Sequence, residues 1–149
     1  MHKKICSFCG HRDIFEPDVD EYVKQEIASL IKQGFNTFYS GGMGNFDLLC
    51  ERTVLEFKKK NSEIKLCLIL PYMTNRVNRY MNYYDVRFDE IIIPDFGNLH
   101  PRRAIPARNK WMVERSDMIL AYVLRETGGA STTLRYAKKL GVEYVNITI

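Results

Sequence analysis

The chain has 149 residues, 46% of them apolar and 27% charged, and carries a net charge of +4. Those figures match a globular domain able to bury a core, and no apolar run approaches the roughly 18–20 residues of a bilayer span, which excludes a helical membrane protein. The only dense basic spots are Lys58-Lys59-Lys60 and Arg102-Arg103; such runs are mostly solvated helix ends or loops, and the mild positive charge also suits a small anionic ligand without by itself deciding between that and nucleic acid.

The start, Met1-His2-Lys3-Lys4-Ile5, is basic, but the apolar stretch after it stops at Gly10. That is too short for a secretion signal, and a cytoplasmic location is expected. Residues 3–9 read as a first strand, closed by Gly10, His11 and Arg12. A helix follows over residues 19–33, with Val23, Ile27, Leu30 and Ile31 as its apolar stripe and Gly34 as its stop. Residues 36–40 form a second strand, and Gly41, Gly42, Met43 and Gly44 the turn after it. The helix over residues 45–60 points Phe46, Leu49, Val54 and Phe57 inward. Residues 64–70 are almost continuously apolar, as a central parallel strand requires, and Pro71 ends them.

Residues 74–89 predict one helix with a tyrosine-rich core face (Tyr80, Tyr84), although Tyr80, Tyr83 and Tyr84 could also stack on a base. A short strand over residues 90–93 precedes an irregular loop over residues 95–106 that contains Pro101 and Pro106. A helix over residues 107–116, a strand over 117–123, a helix over 133–140 stopped by Gly141, and a strand over 142–149 complete the chain. Strand–helix alternation of this kind implies an α/β Rossmann-like three-layer sandwich around a mainly parallel sheet, in a single domain over residues 1–149.

Four cysteines stand at positions 6, 9, 50 and 67. Cys6 and Cys9 are spaced C-x-x-C, but inside a strand an odd separation sends them to opposite faces. No second pair and no histidine pair completes a zinc set, so buried free thiols are expected and no metal site is assigned.

Ligands of open parallel sheets bind outside the carboxyl ends of the strands. Three polar or glycine-rich turns fall there: residues 10–13, 40–47 and 127–132. Glycines let a ligand approach the backbone, and helix first-turn N–H groups favour negative charge. The predicted ligand-binding set is Gly10, His11, Arg12, Ser40, Gly41, Gly42, Met43, Gly44, Asp47, Arg108, Thr127, Gly128, Gly129, Ala130, Ser131 and Thr132. Arg12 and Arg108 are planar forks suited to phosphate. Asp47, in the first turn of its helix, could accept from ribose hydroxyls or could simply favour the helix dipole. The plain alternatives are a surface ion pair of Arg12 with Asp13 or Glu16, a loop role for His11, a solvent-exposed helix start at Arg108, and a capping role for Ser131. Residues 40–44 match neither a G-x-G-x-x-G fingerprint nor a P-loop.

Three segments, CSFCGHR, YSGGMGNFD and RNKWMVERSDMILAYVLRETGGASTTLRYA, together resemble the SLOG superfamily. It groups the SMF/DprA proteins with the LOG phosphoribohydrolases, and the similarity is greatest to its small YpsA-like branch. The resemblance spans essentially the whole chain. It implies a Rossmann-like fold and a nucleotide-type ligand, with Arg108 matching the LOG arginine and Gly128, Gly129 and Thr132 matching the phosphate-cradling glycines and threonine. Thr127 replaces the LOG proline, Ser131 the third glycine, and Leu134 and Arg135 the acidic pair that carries the catalytic carboxylate. Cleavage of an N-glycosidic bond needs a carboxylate to steady the oxocarbenium-like ribose and handle water, and neither Leu134 nor Arg135 supplies one.

The reading is thus a sensor or regulatory module for an adenosine nucleotide or an ADP-ribose/NAD-related molecule, requiring no cofactor. A nucleotide hydrolase is the first alternative, with Asp47 or Glu114 standing in for the missing glutamate and Arg108 beside them. Single-stranded DNA binding, as on the DprA side of the superfamily, is the second. Exposed Tyr and Phe residues and Trp111 would permit a homodimer.

Overall fold

The computed structural model describes residues 2–148, so Met1 of the basic start and Ile149 of the last predicted strand lie outside it. The elements run β1 (Ile5–Gly10), α1 (Val19–Lys32), β2 (Thr37–Ser40), α2 (Asn45–Lys58), β3 (Lys65–Ile69), α3 (Asn75–Arg79), α4 (Met81–Arg87), β4 (Glu90–Ile92), α5 (Pro101–Glu114), β5 (Met118–Tyr122), α6 (Gly129–Leu140) and β6 (Glu143–Asn146). The strands form one six-stranded sheet in the order β4-β3-β2-β1-β5-β6. Every neighbouring pair is parallel, so the sheet is wholly rather than mainly parallel.

Alternation along the strands divides the core between two faces. Cys6, Phe8, Phe38, Leu66, Leu68 and Leu120 pack with Val23, Ile27 and Leu30 of α1 and Phe46, Cys50 and Val54 of α2. On the other face, Cys9, Ile119 and Ala121 meet Val113 of α5 and Leu134 and Ala137 of α6, while Ile5, Tyr39 and Ile69 meet Met112. Helices cover both faces, giving the three-layer Rossmann-like α/β sandwich. Cys6 and Cys9 fall on opposite faces as buried thiols, and burial pushes the Cys9 thiol up to about 12, with Asp47 adding to the rise.

Helix stops follow the local chemistry. Gly34 and Gly141 take positive φ of 97° and 76° at the ends of α1 and α6, where a left-handed residue closes the last turn. Three predicted elements differ. The helix expected over residues 74–89 breaks at Tyr80 (φ −113°, ψ 35°) into α3 and α4. Only Val77 in α3 and Phe88 after α4 are buried, leaving Tyr80 and Tyr83 more than half exposed. Of the predicted core face Tyr84 packs against the core, whereas Tyr80 points to solvent. The loop expected over residues 95–106 ends early, because His100 Nδ1 caps α5 by accepting from Arg102 N (3.1 Å) and Pro101 supplies a preset φ at the first helical position. Pro106 sits inside α5 on its exposed side, where the carbonyl it leaves unpaired can reach water. Helix α6 begins at Gly129, not at Thr133, so most of the predicted glycine turn is its first helical turn.

The strand order reverses between β1 and β5. All six carboxyl ends lie on one rim, because the sheet is parallel, and the turns after β1, β2 and β5 leave three adjacent strands of it.

Candidate functional site

The second and third turns share one backbone device. Gly44 (φ 94°, ψ −179°) caps α2 and Gly128 (φ 104°, ψ 174°) caps α6, and neither helix has a side-chain cap. This region of backbone space is almost confined to glycine. A helix start without a side-chain cap leaves its first N–H groups facing outward, where the dipole favours an anion.

The β2 turn is braced from below by α2. Ser40 Oγ accepts from Gly42 N (3.1 Å) and donates to Glu51 Oε2 (2.5 Å). Asp47 Oδ2 accepts from Met43 N (3.0 Å). From the other face of the sheet, the fully buried Arg108 donates through Nη1 to Gly41 O and Ile69 O (3.0 Å each) and through Nη2 to Met43 Sδ, while Nε donates to Asn109 Oδ1 (2.8 Å). A Cβ on Gly41 would lie 3.1 Å from the Arg108 guanidinium, so this glycine admits the arginine. The alternative of a solvent-exposed helix start at Arg108 is set aside: α5 starts earlier, and Arg108 is 2% exposed.

Beside this turn lies a cleft of about 490 Å³, between residues 41–45, the ends of β3 and the α3–α4 segment, within the range of small-molecule sites. Arg76, Arg87 and Arg108 line it, with Tyr83 and Tyr84, and Glu51 is its one carboxylate among the described residues. Glu51 is buried and accepts from Arg87 Nε (3.2 Å) as well as from Ser40. Burial raises its pKa, and the Ser40 hydroxyl and Arg87 oppose that rise.

The other two turns share the rim but do not line the cleft. His11 spans the space between β1 and β5: its backbone N–H donates to Tyr122 O and its ring Nε2 accepts from Leu124 N (2.8 Å). An accepting Nε2 carries no proton, so the ring braces the two turns in its neutral form; burial lowers its pKa, with Arg125 adding to the effect. Gly10 is required by packing, since a Cβ there would stand 2.3 Å from the Phe46 ring. Arg12 is exposed beside the α2 start, its carbonyl accepting from Asn45 N (2.7 Å); no ion pair with Asp13 or Glu16 forms among the described residues. At the third turn, Ser131 donates to Glu126 O (2.8 Å) and Thr132 to Gly128 O (3.0 Å). Ser131 thus closes the turn instead of capping the helix. Thr127, Gly128 and Gly129 are exposed and Ala130 is half-buried.

Sequence reasoning missed three residues. Glu51 and Arg87 form the buried pair in the cleft, and Arg135 folds over the third turn. Arg135 Nη1 donates to Glu126 O (2.6 Å) and Ser131 Oγ (2.7 Å), which sets a cation at an anion-favouring helix start. Glu51 was recoverable from its spacing: residues 46, 47, 50, 51 and 54 form the buried face of α2. The expected inward positions Leu49 and Phe57 are only partly buried.

The two proposed substitute carboxylates are not at the cleft. Glu114, at the last turn of α5, is beside the amino ends of the strands and accepts from Tyr136 OH (2.7 Å). Asp47 is buried, and its Oδ1 has no hydrogen-bond partner. Burial pushes the Asp47 carboxyl up to about 7; the Met43 N–H opposes this, Glu51 adds to it and Arg108 opposes it. The folded pKa lies above the ordinary aspartate value of 3.8, so between roughly pH 4 and 7 the folded state binds more protons than the unfolded one. The stability Asp47 contributes is therefore complete below that window and is lost as pH rises through it. Glu51 is shifted in the same direction. Urea unfolding of the protein and of Asp47→Asn at pH 5 and pH 8 is expected to show a smaller loss of stability in the variant, by on the order of a few kcal/mol. Equal losses would show that Asp47 carries no proton in that range.

No protein-family profile matches the chain. No curated protein matches it in sequence. Solved structures do match in fold. A structure of DNA processing protein A from Helicobacter pylori, described for its single-stranded DNA binding mode, superposes with a TM-score of 0.66 at 17% identity, over 95% of this chain and 63% of that one. DNA processing protein A from Streptococcus pneumoniae gives 0.68 at 14% identity, over 95% of this chain and 49% of that one. A molybdenum cofactor binding protein from Rippkaea orientalis gives 0.60 at 19% identity, over 97% and 76%. The chain thus spans between about half and two thirds of the DNA processing proteins it matches. At these identities the likeness is one of fold, and it is the fold implied by the SLOG resemblance. No described helix is long and apolar enough to cross a membrane.

Proposed function

We propose that this chain binds a phosphate-bearing small molecule of nucleotide type, an adenosine nucleotide or an ADP-ribose/NAD-related compound, and acts as a sensor or regulatory module. The observation that carries the reading is the cleft whose wall is the β2 turn: a helix start without a side-chain cap, three arginines and one carboxylate already paired with Arg87. Such a site favours an anion on charge alone. Gly44 at the α2 start would hold phosphate through its backbone N–H, since those of Gly42 and Met43 already donate to Ser40 Oγ and Asp47 Oδ2, with Arg12 adding charge there. Gly128, Gly129 and Thr132, with Arg135 above them, would serve a second anionic group. Assignment to the YpsA-like branch rests on the sequence motifs alone.

Turnover is the weaker reading. A cation, Arg135, stands where the LOG carboxylate would be, Glu114 is at the far rim, and Asp47 turns inward onto Met43 N. Single-stranded DNA is favoured by one feature, the exposed Arg76, Arg79, Tyr80 and Tyr83 of the α3–α4 segment. Thermal-shift measurements across AMP, ADP-ribose and NAD, with chromatography of the same incubations, test the first reading: stabilisation without product is expected. Product formation would establish turnover instead. Affinity for an oligo-dT that falls steeply with salt, with no stabilisation by nucleotides, would favour DNA.

A further inference from the structure

A second hollow of about 570 Å³ adjoins the cleft beside the β2 turn, and Arg76, Tyr83 and Tyr84 border both. Tyr84 is pinned: its ring stacks on the buried Phe88 at 6.2 Å with an interplanar angle of 11°. Tyr83 stands edge-on to Tyr84 at 5.3 Å and 89°, and is 55% exposed. Arg87 connects this aromatic corner to the floor of the cleft. Its Nε donates to Glu51, its guanidinium lies 6.0 Å from the Tyr83 ring centre, and its buried Nη2 has no hydrogen-bond partner. A half-exposed aromatic held against a pinned one, beside an unpaired donor, suits a planar heterocycle with acceptor atoms on its edge.

We infer that Tyr83 and Tyr84 form the base subsite of this protein: the ligand's heterocycle stacks at the α3–α4 corner while its phosphate lies at Gly44 and the start of α2. This inference rests on the nucleotide reading proposed above and adds the residues that would read the base. The charge of the cleft agrees, since Arg76, Arg87 and Arg108 face one carboxylate. The division of labour is physical. Arginines and amides hold the anion whatever base it carries, and stacking contributes affinity only when a ring is present.

Calorimetric titration of the protein with AMP and with ribose 5-phosphate, repeated on Tyr83→Ala and Tyr83→Phe, tests it. AMP is expected to bind the unaltered protein at least tenfold more tightly than ribose 5-phosphate. Tyr83→Ala should lose about tenfold for AMP and nothing for ribose 5-phosphate, and Tyr83→Phe should keep the AMP affinity. The exposure of Tyr83 lets the variants fold, and unchanged melting temperatures verify it. Unchanged AMP binding by Tyr83→Ala would overturn the base subsite while leaving the nucleotide reading intact. Equal weakening of both ligands would also overturn it. Absence of binding by either ligand to the unaltered protein would overturn the nucleotide reading, and the subsite with it.

Discussion

Replacing Arg108 by alanine is expected to cost about 3–5 kcal/mol of folding stability and to remove ligand binding at the cleft. The guanidinium is 2% exposed and ties the carbonyls at the ends of β2 and β3, Gly41 O and Ile69 O, to α5. Its removal leaves both carbonyls without that donor, at about 1–3 kcal/mol for each group left buried and unpaired, and opens a cavity besides. Arg108→Met fills much of the volume but supplies no donor, so it should recover only part of the loss. Urea unfolding of both variants checks this. A loss below about 1 kcal/mol in Arg108→Ala would mean the carbonyls find other partners and the arginine does not brace the turn. The ligand effect follows from the same contacts: Gly41 and Met43 are held by Arg108, and the turn they form is the wall of the cleft.

The second large effect separates two glycines with the same backbone. Gly44 and Gly128 both cap helices near φ 100° with extended ψ. An alanine Cβ at Gly44 would lie 2.5 Å from Arg12 Cα, a backbone atom that cannot rotate away, whereas at Gly128 nothing lies within 4 Å. Gly128→Ala should therefore cost only backbone strain, about 1–2 kcal/mol, and Gly44→Ala should cost about 3 kcal/mol or more. Gly44→Ala should also part the Arg12 carbonyl from Asn45 N and displace the α2 start. Thermal unfolding of the two variants side by side reads the difference. Equal costs would mean that the contact between the β1 and β2 turns yields easily and that the α2 start is not rigidly placed.

The sheet was legible because each strand carries its own local signal. Residues 64–70 are apolar almost without interruption, and Gly34 and Gly141 mark where α1 and α6 stop. The odd spacing of Cys6 and Cys9 predicted their separation onto two faces, which is what the core packing has. Helix boundaries set by a single side chain were harder to read. The His100 imidazole starts α5 at Pro101, and a histidine cap has no strong sequence signature. The break at Tyr80 contains neither proline nor glycine, so the exposed Tyr80 was read as core.

The rim was legible as three turns on adjacent strands, since topology alone puts the carboxyl ends of a parallel sheet on one side. Which turn borders open space was not, because that depends on tertiary contacts. His11 bridges to Leu124 N across the β1–β5 gap, and the cleft lies one strand over. Glu51 and Arg87 are 36 residues apart, and their pairing depends on α4 folding back over α2. Arg135 was read only as a missing carboxylate. Its side chain turns back by one helical turn to Ser131 and so sets a cation beside the third turn.

The central claim is that the rim recognises a phosphate-bearing nucleotide. Calorimetric titration of the purified protein with AMP and with adenosine at equal ionic strength tests it most directly. The account predicts that AMP binds at least tenfold more tightly than adenosine, and that raising the salt narrows the gap as the arginine contribution is screened. Equal affinity for the two, or adenosine alone binding, would contradict it.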